Sequence, residues 1–128
     1  MIYLDTSVAF AEIMSEPRRP PPSFWNQEIG SSQLLRYEIW NRLHVYDAGP
    51  YRHEKARDVL RAIDLFAMSD DVLLRALTRF PVPVRTLDGL HLATMGHLRG
   101  HGATVELASY DVRLIAAAQA MEFPILQA

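Results

Sequence analysis

Three apolar residues, Ile2 to Leu4, stop at Asp5, Thr6 and Ser7, after which Val8, Phe10, Ala11 and Met14 follow a helical stripe. The hydrophobic period changes across a polar boundary, the pattern of a strand, a cap and a helix. The change recurs along the chain. Glu28 to Ser32 reads as a second strand, followed by a helix over Leu34 to Tyr46 with Leu35, Ile39, Leu43 and Tyr46 on one face. A further amphipathic helix is predicted from His53 to Ala62, with Ala56, Val59, Leu60 and Ile63 as its buried stripe. Ile63 to Met68 reads as a strand before a helix over Asp70 to Arg79, which Pro81 and Pro83 stop. Thr86 to Leu98 reads as helix, Thr104 to Ala108 as strand, Asp111 to Met121 as helix and Pro124 to Leu126 as a terminal edge strand. Strands alternating with helices predict an α/β fold, a central, mainly parallel sheet covered by helices on both faces.

With 128 residues, 49% of them hydrophobic and 22% charged, one domain over residues 1–128 is expected and a second has no room. The absence of cysteine excludes disulfides, thiolate zinc sites, iron–sulfur clusters and cysteine nucleophiles. Thirteen basic residues against 15 acidic ones give a net charge of −2, which argues against a polybasic coat for nucleic acid. Local basic patches and bound cations remain ways to hold phosphate. The opening MIYLDTSVAF lacks the basic start and apolar core of a signal peptide, and no run approaches the roughly 18 apolar residues of a membrane span. A cytoplasmic location with no membrane attachment is the expectation.

Several segments have two readings. Asp5, Thr6 and Ser7 cap a helix, or sit where α/β folds place ligands, at the carboxyl end of a parallel strand. Glu16 to Pro22, EPRRPPP, is a stiff surface connection, or a substrate-facing loop carrying Arg18 and Arg19. Gly49 and Pro50 end the second helix. His91, His97 and His101 are read as cap, surface or packing residues rather than a zinc site, with His91, three residues after Asp88, as a local hydrogen-bond partner. Ser7, His91 and Asp111 supply the residue types of a hydrolase triad but no nucleophile elbow. Phe10, Phe24, Trp25 and Trp40 are read as packing residues. There is no internal repeat, Gly-rich phosphate fingerprint or Cys/His finger.

The acids carry the functional argument. Asp5 follows the first strand, Asp111 follows a late strand, Asp88 lies in the first turns of a helix, and Glu38 lies inside the second helix. Arg42, four residues after Glu38, offers an ion pair as the structural alternative for that acid. In a parallel sheet the carboxyl ends of strands lie on one side, so Asp5 and Asp111 can approach there, with Glu38 and Asp88 reaching over the same cleft. Gathered carboxylates repel one another unless protons or cations compensate. Mg²⁺ or Mn²⁺, which take hard oxygen ligands, are the economical compensation and suit phosphodiester chemistry.

Four stretches, LDTS at Leu4–Ser7, SSQLLRYE at Ser31–Glu38, RTLDGLHLAT at Arg85–Thr94 and SYDVRLIAAA at Ser109–Ala118, cover this acid set. In their order, and in the HLAT and SYD contexts, the chain resembles the PIN-domain ribonucleases, and among them the VapC-like toxins of bacterial toxin–antitoxin pairs. The resemblance implies that Asp5, Glu38, Asp88 and Asp111 bind Mg²⁺, with Mn²⁺ as a substitute, while Thr6 and Ser109 are hydroxyls that orient a carboxylate, water or phosphate. It further implies endonucleolytic cleavage of single-stranded or loop RNA by activated water, leaving a 5′-phosphate and a 3′-hydroxyl. Arg18, Arg19, Arg36, Arg85 and Arg113 are candidates for phosphate contacts, and Tyr110 for stacking on a base. A homodimer paired through the region from Phe24 to Tyr46 and a small antitoxin covering the acidic groove are also implied. A noncatalytic PIN-like interaction module is the alternative.

Overall fold

In the structure, a computed structural model that describes residues 1–127, four parallel strands form one sheet in the order β3-β2-β1-β4. The strands are β1 (Ile2–Leu4), β2 (Ile29–Ser32), β3 (Asp64–Phe66) and β4 (Glu106–Ala108). The helices are α1 (Thr6–Ile13), α2 (Gln33–Val45), α3 (Gly49–Arg61), α4 (Asp70–Ala76), α5 (Thr86–Gly100) and α6 (Val112–Ala120). No described helix is long and apolar enough to cross a membrane. The chain runs from β1 to β2 and β3 on one side, then returns to place β4 on the other side of β1. The strand order therefore reverses between β1 and β4, and at such a switch point the loops leaving the strands diverge and open a crevice at their carboxyl ends.

Alternation along β1 assigns the two faces. Ile2 and Leu4 pack with Val8, Phe10, Ile13, Leu35, Ile39 and Leu43, the inward sides of α1 and α2. Tyr3 points the other way, into a layer of Leu92 and Met95 from α5 and Leu114 and Ala118 from α6. The three central side chains are at most 3% exposed, so a register slip of one residue would turn both layers inside out. Helix starts follow the caps written in the sequence. Ser32 accepts from the Leu34 amide at 3.0 Å, Ser69 from that of Val72 at 3.3 Å, and Asp111 from that of Arg113 at 2.9 Å.

Several elements differ from the sequence expectation. α2 ends at Val45, followed by Asp47 in a left-handed conformation at φ +48°, and Gly49 and Pro50 instead open α3, four residues earlier than His53. Gly49 adopts φ +83°, and proline in the first turn lacks only an amide that would have no helical partner. The helix from Asp70 ends at Ala76, where the Thr78 hydroxyl donates to the Arg75 carbonyl at 2.8 Å and closes the last turn. The predicted terminal strand shrinks to a single parallel bridge of Ile125 to Leu107, because Pro124 has no amide to extend a ladder. Within the connection after α1, Pro22–Asn26 forms a short 3-10 turn that drives Phe24 into the core.

Candidate active site

Asp5 leaves β1 at the switch point and caps α1. Its Oδ2 accepts hydrogen bonds from the Ser7 hydroxyl at 2.6 Å and the Ser109 hydroxyl at 2.7 Å. The Asp5 amide donates to the Ala108 carbonyl at 3.0 Å, and the Tyr110 amide donates to Ser7 Oγ at 2.9 Å. The ends of β1 and β4 are thus sewn together around one carboxylate, which is 8% exposed. Ser109 supplies one of the two hydroxyls on Asp5. The second hydroxyl on Asp5 is that of Ser7 rather than Thr6, whose buried Oγ1 has no hydrogen-bond partner among the described residues. The D-x-S spacing of a side-chain cap was the available signal for Ser7.

Asp88, in the first turn of α5, and Asp111, the cap of α6, face each other across Arg85. Arg85 Nη2 lies 2.6 Å from Asp111 Oδ2 and 2.7 Å from Asp88 Oδ2, and its Nε donates to the same Asp88 oxygen at 2.8 Å. Desolvation, together with the charges of Asp111 and Asp5, raises the Asp88 carboxyl above its ordinary range despite Arg85. Burial alone would raise Asp111 too, but Arg85 and the Leu114 and Arg113 amides hold it below the usual value. The two acids therefore differ in how readily they ionise.

Glu38 is held from the opposite layer. Its Oε1 lies 2.5 Å from His91 Nε2, and His91 Nδ1 lies 2.8 Å from the Tyr3 hydroxyl. Burial pushes the Tyr3 hydroxyl well above its ordinary pKa, only partly offset by Ser31, Thr94 and the Ser32 backbone, so Tyr3 keeps its proton. The pairing that satisfies all three groups has Tyr3 O–H donating to Nδ1 and Nε2–H donating to Glu38. His91 is not a partner of Asp88, and Glu38 is not ion-paired with Arg42 among the described residues. A distance of 53 positions between Glu38 and His91 left no local signal for this tie.

Because the raised Tyr3 pKa favours the protonated phenol only in the folded state, its contribution is complete below the unfolded pKa of roughly 10 and is lost as pH rises above it. Stability is expected to fall on the alkaline side more steeply in the wild type than in Tyr3→Phe. Urea midpoints measured on both sides of that value check this.

The other candidates divide. Asp5, Thr6, Glu38, Arg42, Arg85, Asp88 and Asp111 all line one cleft of about 270 Å³. Arg113 lines an adjoining cavity that shares Arg85 and Asp88 with it. Arg36 is exposed on α2 and Arg19 on the connection after α1. Arg18 stacks over the Tyr110 ring at 4.3 Å, so that face of Tyr110 is already covered and is not open to a base. Ser7, His91 and Asp111 form no triad, since Ser7 bonds Asp5 and His91 bonds Tyr3 and Glu38. His97 and His101 pack on each other at a ring separation of 4.3 Å.

The cleft fits a hard divalent cation in donor type, with four carboxylates and the partnerless Thr6 hydroxyl along it. As the side chains stand, no three Asp, Glu, His or Cys among the described residues gather closely enough to hold an ion. Arg85 engages two of the acids and His91 a third.

No family model matches the chain. It is 28% identical over 130 aligned residues, 96% of this chain and 93% of the relative, to a protein described as Ribonuclease VapC47 of Mycobacterium tuberculosis (strain CDC 1551 / Oshkosh). Among solved structures it matches a chain of a toxin–antitoxin complex from Klebsiella pneumoniae with a TM-score of 0.71 and 17% identity, covering 99% of this chain and 97% of that one. At that identity the structural match speaks to the fold. With LDTS, HLAT and SYD in order around one switch point, and a relative aligned along nearly its whole length, the chain is similar to the VapC-like ribonucleases in sequence and to a toxin–antitoxin complex chain in fold.

Proposed function

We propose that the protein is a metal-dependent endoribonuclease that hydrolyses RNA phosphodiester bonds and acts as a growth-inhibiting toxin under the control of a cognate antitoxin. The observation that carries this reading is the meeting of Asp5, Glu38, Asp88 and Asp111 along one cleft at the switch point. The aligned relative's description as a ribonuclease supports it.

Asp5, Asp88, Glu38 and Asp111 would hold Mg²⁺ or Mn²⁺. Bound there, such an ion supplies Lewis-acid stabilisation of phosphoryl oxygens and a more acidic water. Ser7 and Ser109 fix the Asp5 carboxylate, and the Tyr3–His91 pair fixes that of Glu38, so these two acids reach the cleft with their orientation already set. Arg42 lines the cleft and Arg113 the adjoining cavity, where each can take a neighbouring phosphate of the RNA. Water attacks the phosphorus, the P–O3′ bond breaks and the departing 3′-oxygen takes up a proton, so cleavage leaves a 5′-phosphate and a 3′-hydroxyl.

In this reading the protein is also a homodimer. Phe24 is buried, so self-pairing within the expected region falls to Tyr37, Val45 and Tyr46, which are more than half exposed on α2 and its end. Sedimentation at increasing concentration is expected to show the dimer, and a strict monomer would count against it.

The function is tested by incubating RNA with purified, antitoxin-free protein and Mn²⁺ and analysing the fragment ends. Fragments that accept a 5′-phosphate-requiring ligase without prior phosphorylation, and that vanish with EDTA, are expected. Cyclic-phosphate ends would replace this chemistry with attack by the ribose hydroxyl.

A further inference from the structure

We propose that Arg85 is a built-in counter-ion that occupies the place between Asp88 and Asp111 which a divalent cation would take, and that cation binding displaces it. The inference rests on the metal-dependent reading above and adds a competitor to it.

A single nitrogen, Arg85 Nη2, touches one oxygen of each acid at 2.6 and 2.7 Å, and Nε adds a second bond to Asp88 at 2.8 Å. One positive group therefore bridges the two carboxylates, the place where a shared cation would neutralise both. The acids are the fixed partners. Asp111 is tied to the first turn of α6 through the Arg113 and Leu114 amides, and its side chain is 32% exposed. Asp88 is carried by α5 and is 16% exposed. Arg85 is the movable arm, with half of its side chain in solvent and its backbone pinned by the Gly89 amide at 2.8 Å.

Ion pairs this exposed are weak and yield to a stronger charge. Displacement therefore asks for a side-chain rotation and no change of fold. A guanidinium released at the rim of the cleft is then free for a phosphate of the RNA, which suits its forked donors. Ion and RNA would thus assist each other's binding, because each relieves the same contact.

The test is Mn²⁺ binding measured calorimetrically without RNA, on metal-stripped wild type, Arg85→Gln and Arg79→Gln. Arg79 is exposed outside the cleft, so its variant removes the same charge at a distance. Arg85→Gln is expected to bind Mn²⁺ roughly tenfold more tightly than the wild type, and Arg79→Gln within about twofold of it. Equal or weaker binding by Arg85→Gln, or an equal gain in Arg79→Gln, overturns the competition while leaving a metal site in place. Absence of saturable Mn²⁺ binding in all three proteins removes the metal-dependent reading and the inference with it.

Discussion

Asp5→Asn is expected to cleave RNA on the order of 10²–10⁴-fold more slowly than the wild type, with a loss of stability of only about 1 kcal/mol. The asymmetry follows from the two roles of this side chain. Asparagine keeps the size of aspartate and its capping oxygen, so α1 retains its start. It loses the charge that would hold a cation, while its amide oxygen, placed where Oδ2 sits, can still accept from both the Ser7 and Ser109 hydroxyls. Initial cleavage rates beside thermal melts separate the two effects. A folded Asp5→Asn protein within tenfold of wild-type activity would remove Asp5 from the chemistry.

His91→Leu is expected to cost about 2–4 kcal/mol, the sum of one buried neutral hydrogen bond and one to a carboxylate. The side chain is 1% exposed, and leucine fills much of its volume without either nitrogen. The change leaves the Tyr3 hydroxyl short of its acceptor and frees Glu38 to turn away from the cleft. Urea unfolding measures the first effect. The second appears as lost cleavage at temperatures where the variant is still folded, and His91→Gln, which retains a donor for Glu38, is expected to recover part of it. Equal activity in the leucine and wild-type proteins would reduce His91 to packing.

Much of the fold was legible because the sequence changes period at each strand end. Ile2–Leu4 with Asp5, and Thr104–Ala108 with Ser109 to Asp111, announce two strand-to-helix corners, and parallel pairing brings those corners to one edge. The identity of the acids that share the cleft could be read on the same grounds. What holds those acids was not legible. Arg85 meets Asp111 from 26 positions away, and Glu38 meets His91 across the sheet. Local spacing instead suggested Glu38 with Arg42 and Asp88 with His91, pairs that one helix turn permits and tertiary packing overrides. Gly49 and Pro50 misled because residues read as helix stops also suit the first turn of a helix, which is the place they take in α3.

The ion pairs of Arg85 and the seating of Glu38 give the cleft two kinds of acid. Asp5 is held by serine hydroxyls and Glu38 by His91, whereas Asp88 and Asp111 share one arginine. This division accounts for how four carboxylates coexist along one cleft without a tight cluster of ligands among the described residues.

The central claim, that these acids act together as a cation-dependent RNA-cleaving centre, is tested most directly by one assay. A panel of structured RNAs is incubated with purified, antitoxin-free protein in Mg²⁺ or Mn²⁺ and in EDTA, beside folded Asp5→Asn. Discrete cuts that require the cation and are missing from the variant are the predicted result. Cuts that persist in EDTA, or that Asp5→Asn makes equally well, would contradict it.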